Sequence, residues 1–204
     1  EWEMLPKRHM SYVAANNKKR ELMWLCPASM AAQFQMWKVK KLIKESDIDG
    51  LYFDFGQVRF CSNSLHGCNG RYPLLAMRNF YRGIANAFVE AGKNDYVITV
   101  HDSEAVQVPV FTFVTNLFNG ENFRQQSSGT FHNGKDILDN LTIDEMATEF
   151  SSMPWGVTSS IYMPTTILGK QYGGGKEEPE LYTFRMGKAF LAGSLIHNTI
   201  PALQ

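Results

Sequence analysis

The sequence has no surplus of charge of either sign, no long apolar run, few cysteines and none of the common nucleotide-binding or hydrolase signatures. Lysine plus arginine and aspartate plus glutamate number 20 each, so bulk electrostatics gives no reason to bind a polyanion, and nucleic acid is not an expected partner. No apolar stretch approaches the roughly 18 residues that a bilayer-crossing helix needs, so no membrane span is expected. The first residues, Glu1 to Met10, are charged and lack the apolar stretch of a signal peptide. A start at Glu1 rather than methionine fits a processed chain or a piece of a longer polypeptide, and further domains of such a chain are possible partners. The compartment stays open, with a periplasmic or extracellular location as the expectation.

Three cysteines are too few for a disulfide scaffold. Cys26 lies in an apolar run, where a buried free thiol is expected. Cys61 and Cys68 flank a short loop that a disulfide can close in an oxidising compartment. His66 between them raises a zinc reading, but these three ligands match no common zinc signature and a fourth would have to come from elsewhere, so no metal is assigned. Gly-x-Ser-x-Gly, the complete phosphate-binding Gly-x-x-x-x-Gly-Lys-Ser/Thr, His-Glu-x-x-His and Gly-x-Gly-x-x-Gly are all missing, and no cofactor is expected. A metal hydrolase built on His66, His101, Asp102 and His132 has ligands of the right kind at too scattered a spacing.

With 44% apolar residues, the chain can bury a sizeable core. The run from Glu21 to Cys26 reads as a buried strand ending at Pro27. Phe34, Met36, Trp37, Val39, Leu42 and Ile43 recur at helical spacing, predicting an amphipathic helix from Ser29, its N-cap, to about Glu45. Leu51 to Phe55 is a second strand, ended by Gly56. Leu74, Met77, Tyr81, Ile84 and Phe88 mark a second helix closing at Gly92. Tyr96 to Val100 is a third strand, and Val110 to Leu117 a fourth, although its apolar residues also suit a short helix. Thr142 and Glu145 form a capping-box pattern that opens a helix to about Phe150, Trp155 to Tyr162 is a fifth strand, and Leu181 to Ile196 resembles a last helix. Alternating strands and helices give the α/β class with a parallel sheet, either doubly wound or a closed (β/α) barrel. About five strands fall short of the eight of a barrel, unless short ones exist near Tyr12 and Thr166 or part of the barrel lies outside this chain. Both architectures put functional loops at the carboxyl ends of the strands.

Polar residues gather at three strand ends. Asp54 interrupts an apolar strand, where a carboxylate has to be hydrogen-bonded, paired or functional. His101 and Asp102 follow the third strand, and Glu121 follows the Asn119-Gly120 turn signal after the fourth. Carboxylates meeting at strand ends suit glycosidic bond cleavage, which needs one acid for the leaving oxygen and one carboxylate to attack the sugar or activate water. Tyr52, Phe55, Trp155 and Tyr162 offer rings on which a sugar can stack.

The segment from Asp49 through Leu51, Tyr52, Phe53 and Asp54, followed by Cys61, Asn63, His66 and Cys68, resembles a group of large bacterial glycoside-hydrolase-like proteins distantly similar to glycoside hydrolase family 123. The resemblance extends through Arg78 to Tyr81, His101-Asp102-Ser103 and Gly120-Glu121, and covers residues 20 to 125 better than the rest. It implies a TIM-type barrel as a single catalytic domain spanning residues 1–204, within a longer chain. It makes Asp54 and Glu121 the acidic pair, with Asn63, His66 and His101 lining the sugar site. The adjacent Asp-Glu pair that family 123 uses on N-acetylhexosaminides occurs here only as Asp144-Glu145, in the capping box, which argues against that mechanism. The expectation is a glycoside hydrolase acting on a carbohydrate through Asp54 and Glu121. The alternative is a carbohydrate-binding or scaffold barrel without a working acid pair.

Overall fold

The structure, a computed structural model, describes residues 9–13, 19–54, 56–68, 70–102, 106–120, 142–150, 156–164 and 198–202. The elements are β1 (His9–Val13), β2 (Lys19–Met23), α1 (Met30–Glu45), β3 (Gly50–Phe53), α2 (Leu74–Glu90), β4 (Val97–His101), β5 (Asn116–Asn119), α3 (Ile143–Glu149), β6 (Thr158–Pro164) and β7 (Asn198–Ala202), with short 3-10 turns at Ser64–His66 and Val108–Phe113. Strands β1 and β2 form an antiparallel pair of their own, with His9 opposite Met23 and Val13 opposite Lys19. The other five strands form one sheet in the order β3-β4-β5-β6-β7. Strands β4 to β7 are parallel, with Thr99 beside Asn116, Asn116 beside Thr158 and Ser160 beside Asn198. The chain is therefore α/β, as the alternation of periods predicts.

Several local predictions hold for stated reasons. Ser29 caps α1 by accepting from the Ala31 amide at 3.2 Å, and α2 is followed by Gly92 in the left-handed region at φ 77°. At the start of α3 the Thr142 amide donates to Glu145 Oε2 at 2.8 Å, while the Glu145 amide donates to Thr142 Oγ1 at 3.2 Å. The two halves of a capping box are both made. Leu181 to Ile196 and the region of Thr166 lie outside the described residues.

Three predictions need correcting. The strand expected over Glu21 to Cys26 ends at Met23 and pairs with β1, so neither it nor the strand at Tyr12 joins the parallel sheet. The fourth strand does not begin at Val110: Val108–Phe113 is a 3-10 helix with Pro109 at its start, which is the short-helix alternative for these apolar residues, and β5 begins only at Asn116. Proline has no amide proton to give a ladder, whereas a turn start does not need one. Finally, α1 buries Ala31, Ala32 and Ile43, while Phe34 is 47% and Trp37 55% exposed. Lys38 lies over both rings, 5.6 and 5.2 Å from their centroids, so they pack against a lysine stem and charge rather than a core.

The chain divides into two compact units. One comprises Glu1–Leu51, Gln57–Ile98 and Gln107–Val114. Its core is the inner face of α2, with Phe80, Tyr81, Ile84 and Phe88 buried beside Ile43, Val110 and Phe111. Helix α2 approaches α1 closely at Gly83, where any added side-chain carbon would run into the Met36 sulfur. The other unit comprises Tyr52–Gly56, Thr99–Val106 and Thr115–Gln204, with Val100, Leu117 and Phe150 buried. Among the described residues no helix is long and apolar enough to cross a membrane.

Candidate functional sites

Among the described residues two groups of chemically capable side chains emerge, one in each unit. In the second unit, alternation along each strand puts Tyr52 and Asp54 of β3 and its end, Thr99 and His101 of β4, and Asn116 and Phe118 of β5 at like-facing positions. The lower part of this face is a chain of buried polar groups: Ser160 Oγ donates to Asn116 Oδ1 at 2.8 Å, and Asn116 Nδ2 donates to Thr99 Oγ1 at 3.2 Å. Each hydroxyl and amide thus meets a partner inside, which burial demands.

At the carboxyl ends of β3 and β4 the same side carries the reactive groups. His101 Nδ1 lies 2.9 Å from Asp54 Oδ1 and 2.8 Å from the Tyr52 hydroxyl, and that hydroxyl is 3.4 Å from the same Asp54 oxygen. Nδ1 thus meets both a carboxylate oxygen and a phenol hydroxyl, which fix the plane of the imidazole ring. Phe118 packs against both rings, 5.0 Å from His101 and 5.9 Å edge-on from Tyr52. The Asp54 side chain is 54% exposed while that of His101 is 11% exposed, so the carboxylate faces solvent and the imidazole behind it is enclosed. Tyr52 is itself half exposed. Asp102 points away into the interior, 1% exposed, and its amide donates to the Phe118 carbonyl at 3.0 Å.

The structure brings together Tyr52, Asp54 and His101 from two neighbouring strand ends, while Asp102 is buried apart from them. Asn63 and His66 belong to the first unit, where they contact each other. Glu121 and Trp155 lie outside the described residues, as do Phe55 and His132. The polar chain Thr99-Asn116-Ser160 escaped sequence reasoning because polar residues alternating along a strand read as a solvent face. Its only signal was the absence of large apolar side chains at those positions.

The second group fills the loop-rich part of the first unit. Cys26, Cys61, His66 and Cys68 are all buried, and one ligand atom from each lies within 4.8 Å of every other. Cys26 Sγ is 3.6 Å from Cys68 Sγ, and Cys61 Sγ is 3.7 Å from His66 Nδ1. All three cysteines are free, so Cys61 and Cys68 do not close the loop as a disulfide, and Cys68 instead faces Cys26.

Local structure explains the convergence. Cys26 precedes the α1 cap, its carbonyl accepting from the Ser29 hydroxyl at 2.6 Å and the Ser29 amide at 3.0 Å. Cys61 sits in an isolated antiparallel bridge to Arg71, its amide donating to the Arg71 carbonyl at 3.0 Å. His66 ends the 3-10 turn capped by Asn63, whose Oδ1 accepts from the Leu65 amide at 3.0 Å. Gly67 then takes φ 67°, a left-handed step that a β-carbon disfavours, and it reverses the chain so that His66 and Cys68 face one point. Burial, reinforced by hydrogen bonds from the neighbouring thiols, pushes the Cys26 thiol up to about 12. Burial also raises Cys68.

No family model matches the chain, and no curated protein sequence matches it.

Proposed function

We propose that the chain is a glycoside hydrolase whose active centre lies at the carboxyl ends of the parallel strands, with Asp54 and Glu121 as its acid and base or nucleophile. The observation that carries this reading is the Tyr52-Asp54-His101 cluster: a half-exposed carboxylate hydrogen-bonded to an enclosed imidazole and a phenol. Those contacts fix the orientation of the carboxylate, as a nucleophile or base requires. Tyr52, with half of its surface accessible, presents a ring of the kind that sugars stack on.

A TIM-type barrel is the architecture that suits this chemistry. The strand order follows the chain order without reversal from β3 to β7, which supports a barrel progression over a doubly wound sheet with its switch point. The resemblance to glycoside-hydrolase-like proteins distantly similar to family 123 agrees with this choice. In this reading Glu121, one residue after the end of the sequence Asn119-Gly120 that leaves β5, supplies the second carboxyl group.

The test is a panel of aryl glycosides and oligosaccharides with the parent chain, Asp54→Asn and Glu121→Gln. Turnover by the parent that both substitutions abolish is the expected result. Glycan binding without turnover in any of the three would instead make the domain a binding or scaffold module.

A further inference from the structure

The group formed by Cys26, Cys61, His66 and Cys68 has the composition, burial and dimensions of a mononuclear metal site. Two sulfurs bound at about 2.3 Å and held at a tetrahedral angle lie about 3.8 Å apart, and a sulfur and an imidazole nitrogen slightly closer. The observed separations are 3.6 Å for Cys26 to Cys68 and 3.7 Å for Cys61 to His66 Nδ1. These are opposite edges of one tetrahedron, and no pair of ligand atoms exceeds 4.8 Å. A disulfide would need about 2.05 Å between sulfurs. The space between the four atoms suits a single ion and is too small for a cluster of several iron and sulfide atoms.

We propose that these four residues bind one zinc ion as a closed structural site. Three thiolates and an imidazole match the ligand preference of zinc, and four protein ligands leave no open position for a substrate or water. Cys26 and Cys61 are fully buried, and Cys68 and His66 are 7% and 8% exposed, so the ion would be shielded on all sides. The ligands come from the approach to α1, from the bridge at Cys61 and from the turn after Asn63, segments with little secondary structure to hold them. Zinc would supply what that region lacks, a cross-link joining positions 42 residues apart in the chain. Three thiolates on one divalent ion leave a net negative charge. Arg59, two residues before Cys61, stacks over Trp24, two residues before Cys26, at 5.0 Å, and brings a cation to the same part of the unit.

Ligation through Nδ1 asks for one adjustment. It puts the imidazole proton on Nε2, which lies 3.2 Å from Asn63 Nδ2. A rotation of the Asn63 amide presents its oxygen to that proton, the usual second partner of a zinc-bound histidine, at the expense of the Leu65 cap.

The experiment uses the full chain purified under reducing conditions without added metal, with zinc measured by plasma mass spectrometry. About one zinc per chain is expected. Cobalt added to the stripped protein should give the ligand-field bands of a tetrahedral site with thiolate-to-cobalt charge transfer, and zinc should displace it. Cys61→Ser and Cys68→Ser should lose the metal. Because either variant can fail by misfolding, His66→Cys provides the decisive control: it should keep the zinc and intensify the charge-transfer band, as a fourth thiolate replaces the imidazole. A helical, folded parent chain with neither zinc nor a tetrahedral cobalt spectrum would overturn the proposal, and so would a Cys26-Cys68 disulfide found by peptide mass. None of these readings depends on turnover, so a failure here is distinguishable from the absence of glycosidase activity.

Discussion

The two side-chain groups differ in almost every physical respect. Cys26, Cys61, His66 and Cys68 are enclosed, hold soft donors and are fixed by turns and a single bridge. Tyr52, Asp54 and His101 hold oxygen and nitrogen donors, open to solvent at Asp54, and are fixed by the ends of regular strands. Where hydrogen-bonded backbone already sets positions, side chains are at liberty to meet a ligand. Where it is sparse, side chains have to be bound together to set positions at all. The difference is the one expected if the first group holds the chain in place and the second, as proposed, meets a ligand.

The largest effect expected from breaking this contrast is on stability. Removing the proposed zinc with a chelator under reducing conditions should abolish the cooperative thermal transition of the metal-bound chain, because metal binding to such a site is folding free energy of about 10–16 kcal/mol, comparable to the roughly 5–15 kcal/mol by which domains are stable. Circular dichroism with zinc added back checks the reversal, and an unchanged transition would erase the contrast. Next comes Asp54→Asn, which should lower kcat/KM by about 10²–10⁴-fold while the melting temperature stays put, since the side chain is half exposed. A stability loss there in place of a rate loss would make both groups structural. Tyr52→Phe removes the hydroxyl's contacts with His101 and Asp54 and keeps the ring, so a decrease of about tenfold in kcat with little change in KM is expected, matching about 1.4 kcal/mol.

The smallest effect concerns Lys93, a purely electrostatic clamp that belongs to neither group. Its ammonium lies 2.7 Å from both Asp47 and Asp49. The Lys93 hydrogen bond and charge hold Asp47 below its ordinary 3.8, so the contribution is complete above that value and disappears as acid titrates Asp47 through its lowered one. Hydrogen bonds to Asp47 and Asp49 raise Lys93 above 10.5, so the same contribution persists up to that pH and fades as base passes the raised value. Lys93→Met should shift the melting temperature slightly at neutral pH and low salt, and not measurably at high salt.

Much of this was legible in the sequence, for identifiable reasons. Caps are local: Ser29 and the Thr142-Glu145 box announce helix starts with their own side chains. Asp54 stood out because a carboxylate in an apolar strand needs a partner, and the structure supplies His101. What stayed hidden depends on contacts distant in sequence. Cys61, His66 and Cys68 could be seen as a set, but nothing near Cys26 says that it completes them from across α1 and β3. Likewise Glu21 to Met23 has strand composition, and only its partner, β1, reveals that it stands outside the parallel sheet. Val110 to Phe113 suits a strand or a short helix equally by its side chains, and the structure takes the helical alternative, opened by Pro109.

The unbroken succession from β3 to β7 also bears on how the molecule is made. During synthesis each newly emerging strand meets an edge that is already present, so assembly can proceed in the order of translation even where the partner lies far back in the chain, as Asn116 does from Thr158. A sheet with its strands shuffled would have to leave gaps for later arrivals, and exposed edges in the meantime invite aggregation.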